Sequence, residues 1–297
     1  TLSLGVAGIV ALVPQHLAML GALNNDALTF LLVALSVWQM LRVRHAPSTR
    51  RWLGVGVLVG LALITKTLAW VVLPLALLTA WLAADRGSAV RLRQSLRAAT
   101  LVVAVAALFV LPWMARNVAT YPGADVLGLV QHERIAEGQP RTAEEVAERG
   151  LVGTITNGTR TLFNSFWGQF GWMKAPLQPV EYGVLALFSI VGMLGMLRWL
   201  ARRGWQRDGL DGGGLLLCGV WLALSAGLVL YYNLEFVQYQ GRYLFPALVP
   251  IVLFLLIGLA AWWPRRLRAI PWATLALFLL YLDGLAIWQR LPGMSGY

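Results

Sequence analysis

The sequence predicts an all-α integral membrane protein of about nine transmembrane helices, two pairs of them short. One large extracytoplasmic loop carries a short helix and an interfacial aromatic segment. Three observations predict this fold. The chain is 59% hydrophobic and only 12% charged, with mean hydropathy +0.68, whereas soluble domains carry about one-quarter charged residues. Its apolar residues come in runs close to the roughly 20 that a bilayer-spanning helix needs. Its charges are also sorted. Fifteen of the 24 basic residues, all arginine, fall in four short loops: Arg42, Arg44, Arg50 and Arg51; Arg86, Arg91, Arg93 and Arg97; Arg198, Arg202, Arg203 and Arg207; Arg265, Arg266 and Arg268. The loops between these clusters hold nine of the 13 carboxylates and both lysines. Short Arg-rich loops stay cytoplasmic during insertion, so the other face is where chemistry is expected.

The spans follow in order. Residues 4–41 divide into two helices that turn at Asn24-Asn25-Asp26, with Pro14 distorting the first. Residues 52–84 are too long for one helix. A single span would also put the 86–97 cluster opposite the 42–51 cluster, so two short helices are expected to meet near Thr65-Lys66-Thr67. Runs 98–116, 180–197, 213–232, 244–262 and 270–289 complete the set and leave the C-terminus outside. The domain division is therefore an N-terminal bundle of about five helices (1–116), an extracytoplasmic loop (117–179) and a C-terminal bundle of about four (180–297). Trp38, Trp52, Trp81, Trp113, Trp199, Trp262, Trp263 and Trp288 sit near span ends, as an interfacial belt requires.

The 117–179 loop far exceeds ordinary connection length. Thr142-Ala143-Glu144-Glu145 is a capping-box pattern that opens a short polar helix through about Arg149. The segment Phe166–Met173, with Trp167 and Trp172, is aromatic, Gly-rich and too short to span, which suits an interfacial or re-entrant piece.

Composition excludes several classes. The net charge of +11 suggests nucleic acid, but it sits at membrane boundaries, so no nucleic acid partner is expected. Cys218 is the only cysteine, which rules out an intrachain disulfide or a thiolate metal site within the chain. Asp26, Glu181 and Glu235 make no recognisable ligand spacing. No metal or other cofactor is expected, although a divalent cation could assist.

Four constellations fall on the outer side. Asn24-Asn25-Asp26, with His16 upstream, reads either as a capped helix start or as a reactive carboxylate with two amides. Lys66 reads as a snorkelling anchor or as a point-charge partner for phosphate. Arg116, in Trp113-Met114-Ala115-Arg116-Asn117, divides the same way. Glu235, Gln240, Arg242 and Tyr243 crowd a brief turn, a density of polar groups that is costly near hydrocarbon unless it binds something. Lys66, Arg116 and Arg242 are the candidate donor-phosphate ligands, and Asp26 is the candidate catalytic acid or base. His16, Asn24, Asn25, Trp167, Trp172, Glu235, Gln240 and Tyr243 are the candidate substrate contacts.

The stretches PQHLAMLGALNNDALTFLL (14–32), GLALITKTLAWVVLPLAL (60–77), PWMARNVATYPGADVLG (112–128), FNSFWGQFGWM (163–173) and YQGRYLFPALVP (239–250) resemble bacterial polytopic glycosyltransferases of the GT-C superfamily. The nearest likeness is to the family 39-like enzymes related to protein O-mannosyltransferases and aminoarabinose transferases. The resemblance implies sugar transfer from a polyprenyl-phosphate donor to an extracytoplasmic acceptor, in the inner membrane of a bacterium. Such enzymes commonly use one carboxylate in the first external loop and another in a later one. Asp26 matches the later position. The first acidic loop has no counterpart here, so the chain is expected to lack its N-terminal part. Catalysis then depends on the full-length chain supplying that loop.

Two other classes compete. A non-catalytic accessory subunit of a larger membrane complex, derived from the same fold, would use the 117–179 loop for docking to other membrane subunits. A transporter would carry ionisable groups at mid-membrane, where only Asp283 qualifies, and it is expected to be paired locally or to sit near a helix end. Gly212-Gly213-Gly214 reads as a flexible linker, Asn157-Gly158-Thr159 as a glycosylation sequon, and Gly56 and Gly60 as a close-packing pair.

Overall fold

A computed structural model describes residues 2–85 and 87–290; Arg86 of the second arginine cluster lies outside them. In chain order the helices are α1 (Leu2–Ala11), α2 (Pro14–Leu20), α3 (Asp26–His45), α4 (Thr49–Thr65), α5 (Val72–Ala83), α6 (Ser88–Thr120) and α7 (Leu129–Ile135). They continue with α8 (Thr142–Trp167), α9 (Phe170–Met173), α10 (Pro179–Ala201), α11 (Gly204–Arg207), α12 (Gly212–Asn233), α13 (Leu248–Ala260) and α14 (Ala269–Leu285). Among the described residues, six helical stretches are long and apolar enough to cross a membrane, and seven if α1 and α2, bent by 63°, count as one broken span. The bend falls where Pro14 opens α2, because proline has no N–H to continue a helix from the turn before it. The all-α membrane class thus stands. Helix α4 and the Thr67–Ala83 stretch, each 17 residues, are shorter than these six.

The chain forms two compact units that cut across the division at residues 116 and 179. Of the described residues, one unit holds those up to Asn24, Glu145–Leu222 and those from Gln238 to Arg290; the other holds those within Asn25–Glu144 and Ala223–Val237. In the second unit, α3 to α6 pack around Val33, Val37, Met40, Val55, Val59, Leu75, Val102 and Ala106. Glycines set the spacing. A Cβ at Gly56 would lie 2.7 Å from Val105, and one at Gly60 would lie 2.6 Å from Phe109 and 3.1 Å from Ala106. This is the close packing expected from sequence. The register advances four residues on both helices, so α4 and α6 run parallel. Asn25 meets Thr65 while Gln39 meets Arg51, so α3 runs antiparallel to α4. The start of α3 and the ends of α4 and α6 therefore share one end of the unit.

In the first unit, α10 and α13 cross where Gly192 and Gly195 face Gly258. A Cβ on Gly258 would fall on the Gly192 carbonyl, and one on Gly195 would fall on the Gly258 carbonyl. Helix α1 packs against α13 and α14 in the same unit.

Several expectations are refined. The short polar helix at Thr142 is the first part of α8. Gly150 breaks it with φ 72°, and a further helical stretch runs on to Trp167. Glycine is needed there because other residues pay a steric cost at positive φ. Gly212-Gly213-Gly214 is not a linker but the start of α12, where the Asp211 carboxylate accepts from the Gly213 and Gly214 amides, both at 3.1 Å. Among the expected belt tryptophans, Trp38, Trp81, Trp262, Trp263 and Trp288 are exposed, whereas Trp52 and Trp199 are buried and pack internally. Guanidinium groups of Arg42, Arg91 and Arg198 lie over Trp38, Trp81 and Trp262 at 4.7, 4.1 and 4.8 Å, which joins the aromatic and arginine signals in single contacts. Asp283 is buried in α14, and its Oδ2 has no hydrogen-bond partner among the described residues.

Candidate functional site

The shared end of α3, α4 and α6 holds the first cluster. Helix α4 ends at Thr65, because Lys66 is extended (φ −164°, ψ 144°) before a 3₁₀ turn over Thr67–Val71 leads into α5. The Trp70 indole donates to the Leu63 carbonyl at 3.0 Å, satisfying one of the carbonyls left over at the end of α4. The Asn25 side chain does not cap α3; its Nδ2 donates to the Thr65 carbonyl at 3.2 Å. That bond draws the start of α3 onto the break, where Lys66 Nζ donates to Asp26 Oδ1. The Asp26 side chain is 3% exposed and the Lys66 side chain 24%. A cation partner offsets the cost of enclosing such a carboxylate. Two residues singled out separately in the sequence are thus one ion pair, formed 40 positions apart.

Arg116 lies in the last turns of α6, at the same end of the parallel α4–α6 pair. Its Nη1 donates to the Tyr121 hydroxyl at 2.8 Å and to Asn117 Oδ1 at 3.2 Å, and its guanidinium lies 5.0 Å from the Tyr121 ring. Asn117, almost fully buried, donates from Nδ2 to the Val126 carbonyl at 3.1 Å, pinning the start of the loop.

Glu235, in the same unit, accepts from Arg141 Nη1 at 2.7 Å, and Arg141 Nη2 reaches Glu133 at 3.0 Å. The two carboxylates hold the Arg141 guanidinium above its ordinary pKa, the Glu133 hydrogen bond contributing most. Arg141 also lies 4.1 Å from the Phe236 ring. The turn read as one constellation is therefore divided, since Gln240, Arg242 and Tyr243 belong to the other unit.

In that other unit, Gly241–Ala247 forms a 3₁₀ turn against the end of α8. The Gly241 amide donates to Ser165 Oγ at 2.8 Å, and a Cβ there would overlap the Phe166 backbone. His16 stacks edge-on to Phe245 (5.4 Å), Phe245 on Phe166 (5.4 Å), and Phe166 on Trp167 (5.1 Å). The Gln15 side chain accepts from the Gln169 amide at 2.8 Å. Arg242 reaches Met19 Sδ at 3.8 Å and lies over the Tyr243 ring at 5.2 Å. Gln238 Oε1 accepts from both Gln240 Nε2 (3.2 Å) and the Tyr243 hydroxyl (3.1 Å). His16, Trp167, Gln240, Arg242 and Tyr243 are thus gathered by α2, α8 and one turn. Trp167 is buried in the aromatic stack, whereas Trp172 is 88% exposed. Asn24 lies at the exposed end of the same stretch of chain as His16.

The sequence reading missed Glu145. Only 10% exposed, it accepts from the Tyr239 hydroxyl at 2.6 Å and from Asn157 Nδ2 at 2.7 Å. Burial, then the Glu145 contact, pushes the Tyr239 phenol up to about 12. The capping-box pattern pointed at Glu145 only as a local helix signal, and a partner 94 residues away leaves no such trace. Asn157 of the sequon spends its amide on this carboxylate. Glu181 is half of a capping box with Gln178, whose amide donates to it at 2.6 Å. Among the described residues, no three His, Cys, Asp or Glu side chains are placed to hold a metal.

Comparison with known proteins adds one finding. Residues 2–115 match the family model described as dolichyl-phosphate-mannose-protein mannosyltransferase. No curated protein and no solved structure matches the chain. The matched stretch contains Asp26 and Lys66, and it supports the GT-C resemblance read from the motifs. That match covers 114 of the 297 residues and likens this part of the chain to membrane glycosyltransferases of the GT-C type, and the long apolar helices fit an integral membrane protein.

Proposed function

We propose that this membrane protein is a GT-C-type glycosyltransferase that transfers a sugar from a polyprenyl-phosphate donor to an acceptor hydroxyl on the extracytoplasmic face. In transfer, the acceptor oxygen bonds to the anomeric carbon as the bond from that carbon to the phosphate oxygen breaks. The acceptor proton passes to Asp26, and the polyprenyl phosphate leaves with its charge shared by Lys66. Lys66 has three N–H donors and Asp26 two oxygens, so each has the capacity for more than one contact. Such a site works by electrostatic stabilisation plus one base. Arg116, at the same end of its unit, is a further phosphate ligand in this reading. For the Gln240–Arg242–Tyr243 turn with His16, a substrate-binding role is proposed separately.

The observation that carries the reading is the enclosed Asp26–Lys66 pair at the head of an apolar helix, inside the matched stretch. The arginine sorting supports an outer location for that pair. It also supports nine crossings with the C-terminus outside, the two 17-residue stretches crossing as short helices; a bacterial inner membrane is what the family resemblance implies.

The test is sugar transfer by the full-length protein in its own membranes. Asp26→Asn should lower the rate by about 10²-fold or more, the range expected for loss of a general base. Arg242→Ala should raise the donor concentration needed. Unchanged transfer with both variants overturns the assignment. Absence of transfer by the unaltered protein, together with fixed stoichiometry alongside other membrane subunits, would favour the accessory-subunit reading.

A further inference from the structure

A cavity of about 680 Å³ lies in the first unit, beside α11 and the turn between α13 and α14. Its size falls in the range of sites for small molecules and lipid headgroups. Leu2, Ile257, Ala260 and Ala261 give it apolar walls, and Trp199 and Trp272 also line it. Its polar rim is Arg207, Arg265, Arg266 and Arg268 against one carboxylate, Asp208. That carboxylate is already committed. It accepts from the Trp199 indole at 3.0 Å and from Arg268 Nη1 at 3.0 Å, with Arg265 Nη2 at 3.4 Å. Arg265 Nη2 also donates to the Arg207 carbonyl. Among the described residues, neither Arg207 nor Arg266 has an ion-pair partner, and Arg268 Nε is buried without a hydrogen-bond acceptor.

Four guanidinium groups around one occupied carboxylate make a strongly positive rim, on which Arg207 and Arg266 are exposed. Planar guanidinium forks match phosphate oxygens in pairs, and the apolar walls suit the carbon skeleton behind a headgroup. Helix orientation alone needs arginines near the membrane surface. It does not need them around an apolar-walled cavity. We propose that this cavity binds the phosphate of an anionic phospholipid, with Arg207 and Arg266 as its donors. Basic pockets between transmembrane helices on the cytoplasmic side take anionic headgroups by the same chemistry.

The test uses the full-length protein, purified and stripped of lipid in a neutral detergent. Thermal unfolding is followed while phosphatidylglycerol, phosphatidylcholine or inorganic phosphate is added. Phosphatidylglycerol should raise the midpoint by several degrees, and phosphatidylcholine should not. Arg207→Gln with Arg266→Gln should remove most of that rise while leaving the lipid-free midpoint near the original, since neither side chain holds an internal ion pair. Native mass spectrometry should show one retained anionic lipid lost in the double variant. An equal rise with inorganic phosphate alone overturns the lipid source and makes this a free-phosphate site. A rise that persists undiminished in the double variant, or no rise in the original protein, overturns the cavity assignment.

Discussion

Asp26 and Lys66 show how much one residue depends on its partner. Removing only the ammonium breaks an ion pair whose carboxylate is 3% exposed, and breaking a buried pair by removing one partner costs about 3–5 kcal/mol. Lys66→Met should therefore destabilise the protein by that amount in thermal unfolding, and adding Asp26→Asn should restore much of it. Both residues were legible in the sequence, because a lone Lys and a lone Asp at helix breaks are unusual in so apolar a chain. Their bond was not, since nothing local fixes which break meets which. Asp208 supplies a pH test. Burial opposes its charge, but the Trp199 indole and the Arg268 and Arg265 guanidiniums outweigh that and hold its carboxyl below the ordinary range. A folded-state pKa below the unfolded one adds stability at pH above about 4, and that stability is lost as the pH falls through the folded value. The stability advantage over Asp208→Asn should be present at pH 5 and shrink towards pH 3.

Helix packing puts the glycines to work at the scale of elements. Gly56 and Gly60 announce themselves by their four-residue spacing, and the α4–α6 contact uses them as that spacing implies. Gly258 gives no such signal, because its partners Gly192 and Gly195 lie on a helix more than 60 residues earlier. Gly258→Ala would drive a methyl group into the Gly192 carbonyl and force the helices apart. It should cost about 1–3 kcal/mol, the usual range for overpacking. Gly219→Ala on α12 meets nothing within 4 Å and should be neutral or slightly stabilising in the same unfolding measurement. The tryptophans mark the limit of sequence at this scale. Trp52 and Trp199 stand at span ends like the others, yet helix rotation turns them inward. Apolar periodicity is too weak in all-apolar helices to set that rotation.

The whole molecule was legible as a class, and less so as a count. Arginine sorting and apolar runs anticipate the apolar helices in order, but not α7, α11 or the part of α8 beyond Gly150, and a 17-residue run sits between a span and a core helix by length alone. The grouping of helices into units was not visible, because α1 and α2 join helices more than 200 residues later. Sidedness is open to direct measurement. With Cys218 replaced, a single cysteine at Arg203 should react with an impermeant maleimide only in inverted vesicles. One at Glu137 should react in intact cells. The reverse pattern would move the Asp26 end of its unit to the cytoplasmic face.

The most direct measurement exchanges the two charges. Lys66→Asp alone places two carboxylates together and should unfold the protein at lower temperature, while Asp26→Lys with Lys66→Asp restores an ion pair and most of the lost stability. Sugar transfer by the stable double variant then separates structure from chemistry. If Asp26 takes the acceptor proton and Lys66 the donor phosphate, transfer should stay below about one-hundredth of the original rate. A folded exchange variant that transfers sugar at the original rate would make the pair a structural fastener and place the reacting site elsewhere.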